Sequence, residues 1–454
     1  MSEIDLADSP CGDTGRPSDI FISTEGEGDI AAQMGRAHYS YRLVSRKFAA
    51  LLGRAGFAPV DVRMPEKYKR AADLSALLGR TVIDPLHLTF RWTENLRYMP
   101  AALNICHFAW EFDAISDREL VSGRATSNQK RMLGLADEVW VPSSHTLRTL
   151  KTFGLERTHF VPTPVCGDRL PTRLPKAQAA DRLALVPSVP MFLSSGLLRD
   201  ASNAAGETMM DGLGNRPFVE PWRRGKDVKV FLTVLNPEDR RKNLLNMLEG
   251  FILATAQRDR DILIVKLSVP STERFGDYTP SECLRRRYVF RPVSVYHPRI
   301  LFVWDYLDDA QLAALFSMAD FYLSASHCEG QNLPLLEAMA HGTVAISTRN
   351  TAMLDYISDD SAVAIGERIY AGAIPDLAGE IAGISPPVGV ATRFDVADAI
   401  GEALALSPRA YQDKSAGGRR TVMDTYSETA VLARVKARFD ALLKDRKRIA
   451  DATI

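Results

Sequence analysis

Short apolar runs alternate with longer amphipathic stretches along most of the chain. The first run, DIFIST at 19–24, is followed by a periodic stretch over about 30–54 and by the run PVDVR at 59–63. Strand, loop, helix and strand in this order are typical of a βαβ unit in a parallel sheet. Further strands are predicted at 85–90, 102–110, 136–143, 159–165, 228–234, 261–268, 300–307, 320–326 and 343–348, and helices at 145–154, 243–257, 308–318, 334–342 and 429–445.

The alternation is interrupted over 167–226, where Pro, Gly, Arg and Asp are frequent. We interpret this stretch as an irregular connection with an insertion between two α/β halves. The predicted fold class is therefore α/β, with two facing doubly wound parallel-sheet domains and a cleft between them. Ligands of such sheets bind beyond the carboxyl ends of the strands. Residues 1–18, rich in Gly, Pro, Ser and Asp, are predicted to form a flexible tail.

Length, charge and cysteine content exclude several classes of protein. A chain of 454 residues is long enough for two or three domains. Lys+Arg and Asp+Glu are both 56, and this balance argues against a general nucleic-acid binder. The five scattered cysteines form no CxxC pair, so neither a disulfide framework nor structural zinc is expected. The polar N-terminus resembles no secretory signal and no run of about 18 apolar residues occurs, which predicts a cytoplasmic protein without a membrane span.

The segment SASHCEGQNLPLLEAMAHG at 324–342 carries the clearest chemical signal. A buried strand ends there, and a Gly-containing loop turns into a helix whose first turn suits Pro334. The amides of Gly330, Gln331 and Asn332 would point out of the helix start, where the helix dipole adds to their positive character. This arrangement predicts an anion-binding site, for example one for phosphate.

Two carboxylates lie in the same segment, Glu329 in the loop and Glu337 inside the helix. A carboxylate can accept two hydrogen bonds from the vicinal hydroxyls of a sugar or a ribose. The segment therefore offers one binding site for phosphate and two carboxylates that can bind the hydroxyls of a polyol. Spacing alone leaves an alternative open, because two Glu near a helix start are also favourable capping electrostatics.

The run EGQNLPLLEAMAHG at 329–342, with its Glu-x7-Glu spacing, resembles the signature of retaining GT-B glycosyltransferases of family 4 type (glycosyl transferases group 1). The stretches 136–165 and 300–326 resemble the end of that family's N-terminal domain and the run-up to its signature. The resemblance implies two facing Rossmann-like domains, with the last helix packing back on the N-terminal one. The implied bounds are 19–215 for the acceptor domain, 226–410 for the nucleotide-sugar donor domain and 411–454 for the C-terminal helices.

Carried over by position, the resemblance implies that Glu329 contacts hydroxyls of the transferred sugar and that Glu337 holds the ribose. Thr351 would lie near the diphosphate. The remaining implied donor contacts are the backbone amides of Gly330, Gln331, Asn332 and Leu333. Many members carry an aromatic residue and a glycine at the positions of Gln331 and Asn332, so the identity of the sugar stays open.

The phosphate clamp departs from the family pattern. Relatives carry Gly-Arg at the end of the first strand of the C-terminal domain and a lysine five residues after the arginine. Lys242 matches the lysine, whereas Asn236 and Pro237 replace the Gly-Arg pair. The candidates for the second positive charge are Arg240, Arg241 and Lys266, and a solvated helix start is an equal interpretation of the two arginines.

No metal or other cofactor is expected. Cleavage of the anomeric bond leaves negative charge on the phosphate, which preorganised cations and N–H groups can stabilise by themselves. The acidic pairs at 308–309 and 359–360 are interpreted as turn residues rather than metal ligands.

The N-terminal half is expected to hold the acceptor, and its candidates are less specific. Gly28 matches a glycine loop that approaches the donor phosphates in relatives, although a plain turn explains it equally well. His107 could correspond to a histidine near the transferred sugar, or be an ordinary hydrogen-bonded histidine. Trp110 and Glu111 could line the acceptor side of the cleft, or serve packing and surface charge. The stretch 87–98 is a third candidate acceptor surface.

The resemblance thus implies transfer of a hexose-like sugar from a UDP- or GDP-sugar to a glycan or lipid-linked glycan, with retention of the anomeric configuration. The implied route is front-side attack, in which a donor phosphate oxygen takes the acceptor proton. Lipid-linked acceptors would bring the protein to the inner face of the membrane as a peripheral protein. Two other classes stay open: a nucleotide-sugar epimerase or sugar-phosphate synthase of the same fold, and a non-catalytic nucleotide-sugar-binding protein.

Overall fold

A computed structural model of the chain shows two parallel β-sheets, each flanked by helices. The sheets define an N-terminal domain and a C-terminal domain. The residues described are 18–25, 39–119, 124–184, 186–193, 216–217, 228–237, 239–258, 260–268, 295–303, 306–370 and 388–452.

The N-terminal domain is built on six parallel strands. They are β1 (Ile20–Thr24), β2 (Val60–Asp61), β3 (Leu86–Phe90), β4 (Leu103–His107), β5 (Glu138–Val141) and β6 (Thr158–Phe160), in the spatial order β2-β1-β3-β4-β5-β6. The helices of this part are α1 (Tyr39–Arg54), α2 (Ala71–Leu78), α3 (Gln129–Leu133) and α4 (Ser144–Thr152). Helix α1 buries Phe48, Leu51 and Leu52 against the sheet, because these residues share one face at helical spacing.

The C-terminal domain is built on an eight-stranded sheet. Its strands are β7 (Pro187–Leu193), β8 (Arg216–Pro217), β9 (Val230–Leu235), β10 (Ile262–Leu267), β11 (Val295–Val303), β12 (Phe321–Ser324), β13 (Val344–Thr348) and β14 (Ala362–Ile365). Their order is β14-β13-β12-β9-β10-β11-β7-β8, with β7 and β8 antiparallel at one edge and the others parallel. A separate hairpin pairs β15 (Arg368–Tyr370) with β16 (Val388–Val390).

Seven helices of the described chain follow the first sheet. They are α5 (Lys176–Arg182), α6 (Leu244–Ala254), α7 (Asp309–Met318), α8 (Leu333–Ala340), α9 (Arg393–Leu404), α10 (Pro408–Tyr426) and α11 (Glu428–Ala452). The predicted fold class, α/β with two parallel sheets, is confirmed. None of the helices in the described part of the chain is long and apolar enough to cross a membrane.

The stretch 167–226 is more regular than predicted, and part of it belongs to the second domain. Ala179 and Ala180 of helix α5, and Leu183 directly after it, are buried in the core of the second sheet. Lys176 Nζ lies 2.7 Å from Asp320 Oδ2, just before strand β12. Strand β7 pairs with the second sheet as well. Apolar burial of α5 and the pairing of β7 with β11 therefore attach both elements to the C-terminal domain, ahead of the predicted boundary at residue 215. The predicted tail, 1–18, lies outside the described residues except for Ser18.

Helix α11 packs on the N-terminal domain although it ends the chain. Its buried residues Val431, Val435 and Phe439 join the core that contains Phe48 and Trp140. The ring of Phe439 stacks on that of Trp140 with a centroid distance of 5.6 Å. Burial of an aromatic side chain of this size contributes roughly 1.5–3 kcal/mol, so α11 ties the chain end to the first sheet.

An ion pair at the same interface predicts a measurable loss of stability. Arg438 of α11 pairs with Glu138 of β5, whose side chain is 3% exposed, and Trp140 Nε1 donates to the same carboxylate at 2.9 Å. Replacement Arg438→Met leaves that carboxylate without its cation. We expect a loss of about 2 kcal/mol in the free energy of unfolding, less than the roughly 3–5 kcal/mol of a fully buried pair, because Arg438 is partly exposed.

Urea unfolding followed by tryptophan fluorescence would measure this loss. Lys444→Met is the matched control, since Lys444 is exposed on the same helix. Equal unfolding free energies for Arg438→Met and Lys444→Met would contradict the proposed contribution of the pair.

Candidate functional site

The predicted anion site lies at the start of helix α8, after a loop that we call the signature loop, residues 325–332. Asn332 adopts a left-handed conformation with φ of 61°, and its Nδ2 donates to Ser324 Oγ at 3.1 Å. Asn332 therefore gives helix α8 no side-chain cap. Leu333 and Pro334 form the first turn, as the sequence predicted, and the leading amides of α8 are positioned to bind an anion.

Lys242 and Glu329 meet beside this helix start. Lys242 Nζ lies 2.6 Å from Glu329 Oε1, which also accepts a hydrogen bond from Ser326 Oγ at 2.8 Å. The two residues follow strands β9 and β12, which are hydrogen-bonded neighbours in the sheet. The carboxyl ends of neighbouring parallel strands thus bring a predicted cation and a predicted sugar-binding carboxylate together. The Lys242 side chain stays 19% exposed.

Asn243 holds the turn that carries Lys242. Its φ of 55° is left-handed, and its Nδ2 donates to the carbonyl oxygens of Ala325 at 3.1 Å and Ala391 at 2.8 Å. The amide of His327 donates in turn to the carbonyl oxygen of Arg241 at 2.8 Å. These bonds lock the turn to the signature loop and preorganise the lysine.

Thr351 contacts the signature loop directly. The amide of Glu329 donates to Thr351 Oγ1 at 2.9 Å, and the amide of Ala352 donates to the carbonyl oxygen of Glu329 at 3.3 Å. Thr351 itself has φ of 42°, an unusual conformation for a β-branched residue. The hydroxyl oxygen of Thr351 thus accepts a hydrogen bond from the backbone of the signature loop.

Two loop residues contact the N-terminal domain. The buried side chain of Gln331 donates to the carbonyl oxygen of Thr163 at 2.9 Å and accepts from the Thr163 amide at 3.1 Å. A Cβ on Gly330 would lie 3.2 Å from the Cβ of Ala109, which explains why a glycine suits this close approach. The Gln331 side chain therefore joins the two domains, and only its backbone remains for a donor.

Glu337 also faces the N-terminal domain. Its Oε1 lies 3.0 Å from Nζ of Lys47 on helix α1, and both side chains are about one quarter exposed, at 22% and 24%. The carboxylate expected to hold the ribose therefore lies between the domains, where a nucleotide could replace the lysine as its partner.

Arg241 is the candidate second cation with the best-placed side chain. It pairs with Glu111 of the N-terminal domain, and its Nε and Nη2 donate to Asp239 at 2.9 Å and 2.7 Å. Lys266 is instead buried in strand β10 and donates to the carbonyl oxygen of Leu267 at 2.6 Å. The structure thus brings Arg241 and Glu111 together at the domain interface.

His107 is buried at the end of β4, which favours the ordinary core histidine of the two interpretations that the sequence left open. Its imidazole packs beside the rings of Phe48 and Phe90, with centroid distances of 5.1 Å and 5.5 Å. Burial lowers the pKa of His107 to about 4, so the side chain is neutral at pH 7. Its Nε2 is buried without a hydrogen-bond partner among the described residues, so apolar packing alone does not account for the imidazole.

Trp110 is also buried, which favours packing over the acceptor side among the two interpretations that the sequence left open. Its ring packs against Phe108 and Phe112, and its Nε1 donates to the carbonyl oxygen of Ala114 at 2.8 Å. Trp92, within the candidate surface 87–98, packs against Trp110 at a centroid distance of 5.7 Å and is itself 37% exposed. The exposed aromatic face of this region is therefore that of Trp92. Gly28 lies outside the described residues.

Three residues that organise the site were not predicted from the sequence: Lys47, Asn243 and Thr163. Lys47 and Thr163 reach the signature segment across the domain interface, and no local pattern in the sequence marks such contacts. Asn243 had a detectable signal, since Asn is the non-glycine residue that most readily adopts a left-handed conformation before a helix. No group of three or more His, Cys, Asp or Glu in the described residues is placed to hold a metal ion.

Comparison with known proteins agrees with this geometry. Residues 275–381 match the family model described as "Glycosyl transferases group 1". The putative glycosyltransferase ORF315 of Acidianus bottle-shaped virus (isolate Italy/Pozzuoli) is 32% identical over 101 residues, which are 22% of this chain and 31% of that protein. The chain thus spans about a third of the length of this curated relative. These matches support a group 1 glycosyltransferase.

Solved structures share the fold. A glycosyltransferase from Rickettsia africae ESF-5 aligns with a TM-score of 0.56 and 11% identity, over 94% of this chain and 100% of its own. Sucrose-phosphate synthase from Thermosynechococcus elongatus aligns with 0.55 and 16%, over 94% and 100%. A trehalose-phosphate synthase from Burkholderia xenovorans aligns with 0.52 and 11%, over 93% and 100%. The GT-B architecture predicted from the sequence is therefore confirmed.

Proposed function

We propose that the protein is a retaining glycosyltransferase of family 4 type, which transfers a hexose-like sugar from a UDP- or GDP-sugar to a glycan or lipid-linked glycan. The observation that carries the proposal is the contact of Lys242 with Glu329, at 2.6 Å, beside the uncapped start of helix α8. A cation, a carboxylate and leading helix amides at one point match the diphosphate and the sugar of such a donor.

Each of these groups has a distinct task in the proposed reaction. The diphosphate binds the amides of α8 and Lys242, which stabilise the negative charge that develops as the anomeric bond breaks. Glu329 accepts hydrogen bonds from hydroxyls of the transferred sugar. The ion pair keeps the two side chains adjacent, so that diphosphate and sugar can contact one each. Since these groups carry the charge, the proposed reaction requires no metal.

The acceptor would attack from the same face that the diphosphate leaves, and a phosphate oxygen would take its proton. This route would give retention and would need no protein base. Water must be excluded from such a site to prevent hydrolysis of the donor. The contacts that join the domains near the signature loop are Lys47–Glu337, Thr163–Gln331, Glu111–Arg241 and Ser144–Asp355.

Opening and closing of this interface would admit the donor and then seal it. The ribose hydroxyls would donate to Glu337 in place of Lys47, so nucleotide binding would exchange one interdomain contact for another. Glu337 therefore couples the nucleotide to the domain interface.

A panel of nucleotide sugars tests the proposal directly. UDP-, GDP- and ADP-hexoses would be incubated with the protein, with and without mono- and oligosaccharide acceptors, and free nucleoside diphosphate would be measured. We expect one donor to release its diphosphate faster with an acceptor, and NMR of the product to show the anomeric configuration of the donor. Conversion of the donor without any acceptor would indicate an epimerase. Tight nucleotide binding without turnover of any donor would favour a binding protein.

A further inference from the structure

A chain of hydrogen bonds connects Glu367, between strands β14 and β15, to the backbone of Glu329. Glu367 Oε1 accepts from Asn350 Nδ2, and Oε2 accepts from the amide of Arg349 at 3.2 Å. Asn350 Oδ1 accepts from the Thr351 hydroxyl at 3.0 Å, and that hydroxyl oxygen accepts from the Glu329 amide at 2.9 Å. We propose that Glu367 is a positioning residue that holds Glu329 against the sugar through this chain. The inference rests on the sugar-binding role proposed for Glu329.

The ionised carboxylate determines the direction of every bond in the chain. A carboxylate only accepts, so Asn350 must turn its NH2 group toward Glu367. The same NH2 group faces the carbonyl oxygen of Ser326 at 3.3 Å, which is also an acceptor only. The amide oxygen of Asn350 therefore receives the single hydroxyl proton of Thr351. The hydroxyl oxygen of Thr351 can then accept from Glu329.

The backbone at Thr351 needs such support. Its φ of 42° lies in the left-handed region, which is unfavourable for a β-branched residue. Conformations of this kind persist only where neighbouring contacts over-determine them, and they concentrate at functional sites. Thr351 is bonded on both sides of its hydroxyl, to Asn350 and to Glu329. Loss of the anchor at Glu367 would allow Asn350 to rotate and would release the Thr351 turn.

Burial places the titration of Glu367 in the physiological range. It raises the pKa of Glu367 to about 7, and the hydrogen bonds from Asn350 and Arg349 oppose that rise. The backbone of Gly389 on β16 packs against the carboxylate. Charged or titratable side chains on the adjoining elements are His327 in the signature loop, Arg349 before the Thr351 turn, Arg368 on β15 and Asp395 on α9.

As the pH rises through the pKa of Glu367, activity should increase and stability should decrease. Protonation gives Glu367 one O–H donor and reduces its acceptor capacity where Asn350 and Arg349 both donate, so both hydrogen bonds are fully accepted only above a pH of about 7. A carboxyl whose pKa rises from 4.5 to about 7 on folding makes its full contribution to the free energy of unfolding below pH 4.5. That contribution is lost as the pH rises through about 7. The form that positions Glu329 is therefore the less stable form.

Replacement Glu367→Gln tests the proposal, because glutamine keeps the shape but cannot accept from both donors. We expect kcat to fall roughly tenfold, less than the ~100-fold cost of a 1 Å misplacement, with little change in donor KM. The wild-type fall in kcat below about pH 7 should be absent from the variant, since its side chain does not titrate. Glu402→Gln, exposed on helix α9, is the matched control and should behave as wild type. Wild-type kcat with an unchanged acidic limb in Glu367→Gln would overturn the proposal.

A second measurement needs no substrate and separates this proposal from the enzymatic one. Hydrogen exchange of a peptide containing the Glu329 amide would be compared between wild type and Glu367→Gln. Faster exchange in the variant supports the hydrogen-bond connection from Glu367 to Glu329 even if no donor turns over. In that case only the proposed function fails. Exchange that is as slow in Glu367→Gln as in wild type overturns the proposed hydrogen-bond connection, whatever the activity of the variant. If Glu367→Gln does not fold, Asn350→Ala removes the next member of the chain and should give the same faster exchange.

Discussion

Replacement Lys242→Met is expected to lower kcat by a factor of about 10²–10³, with a smaller effect on donor KM, as for removal of one preorganised charge-stabilising group. Lys242 Nζ lies beside Glu329 and the start of helix α8, where the leaving diphosphate would develop charge. Methionine keeps the length and apolar stem of lysine, so that mainly the charge is lost. Steady-state release of nucleoside diphosphate, with the donor identified by the panel, measures the effect.

Two comparisons separate catalysis from folding. Lys229→Met is the matched control, because Lys229 precedes the other end of the same strand, β9, and lies away from the helix start. Thermal unfolding should also be recorded, since loss of the ammonium leaves the buried carboxylate of Glu329 without its partner. A kcat within threefold of wild type, in a folded Lys242→Met protein, would contradict the proposed role.

A double-mutant cycle adds information about the pair. Glu329→Gln should by itself be strongly impaired, because the carboxylate is proposed to contact the sugar. If both residues act on one donor, the double variant should lose much less activity than the product of the single losses predicts. Strict additivity would indicate that Lys242 and Glu329 act on separate events.

The sequence predicted the centre of the site because the relevant signals are local. Strand end, Gly-containing loop and Pro334 at the helix start all lie within one short segment. The meeting of Lys242 with Glu329 also follows from general rules, since each residue follows a strand of one parallel sheet and those strands are neighbours. The one part that the sequence did not predict is that β9 and β12 are neighbours in the sheet.

Contacts across the domain interface could not be predicted in the same way. Lys47 and Glu337 are 290 positions apart, and their approach depends on how the two sheets face each other. For His107 and Trp110 the sequence left two interpretations open for a related reason. A polar or aromatic residue at a strand end can face a ligand or a core, and the choice depends on distant aromatic residues that cover it. The burial of Glu367 beside Gly389 likewise depends on residues that are distant in the sequence, so it could not be predicted.

The family resemblance implied helices over 411–454, but the hydrophobic pattern did not predict helix α10 because that pattern is weak. The sequence PRAYQDKSAGGRRTVMDTY has few large apolar residues, and its buried face includes Gly417 and Gly418. These glycines allow close approach instead of apolar bulk: a Cβ on Gly418 would lie 3.3 Å from Cε of Met339 on helix α8. Helix α10 therefore supports the helix that carries Glu337, through a surface that hydrophobic periodicity does not detect.

Replacement Gly417→Ala should consequently destabilise the protein by about 3 kcal/mol or more, at or above the upper end for overpacking. A Cβ at this position would overlap the backbone carbonyl oxygen of Asp360 and lie 2.9 Å from its carbonyl carbon. Backbone cannot rotate away as a flexible side chain can, so helix α10 must shift as a whole. For a domain of 150–250 residues a loss of about 3 kcal/mol lowers the melting temperature by roughly 6–12 °C.

Gly401→Ala provides the matched control with the opposite sign. Gly401 is exposed inside helix α9, and no heavy atom lies within 4 Å of the point that an alanine methyl group would occupy. Alanine there should stabilise by roughly 0.5–1 kcal/mol, because it restricts the unfolded chain and favours the helix. Differential scanning calorimetry of both variants decides the matter, and two shifts of the same sign would contradict the packing argument. Because α10 supports α8, Gly417→Ala should also weaken nucleotide binding, whereas Gly401→Ala should leave it unchanged.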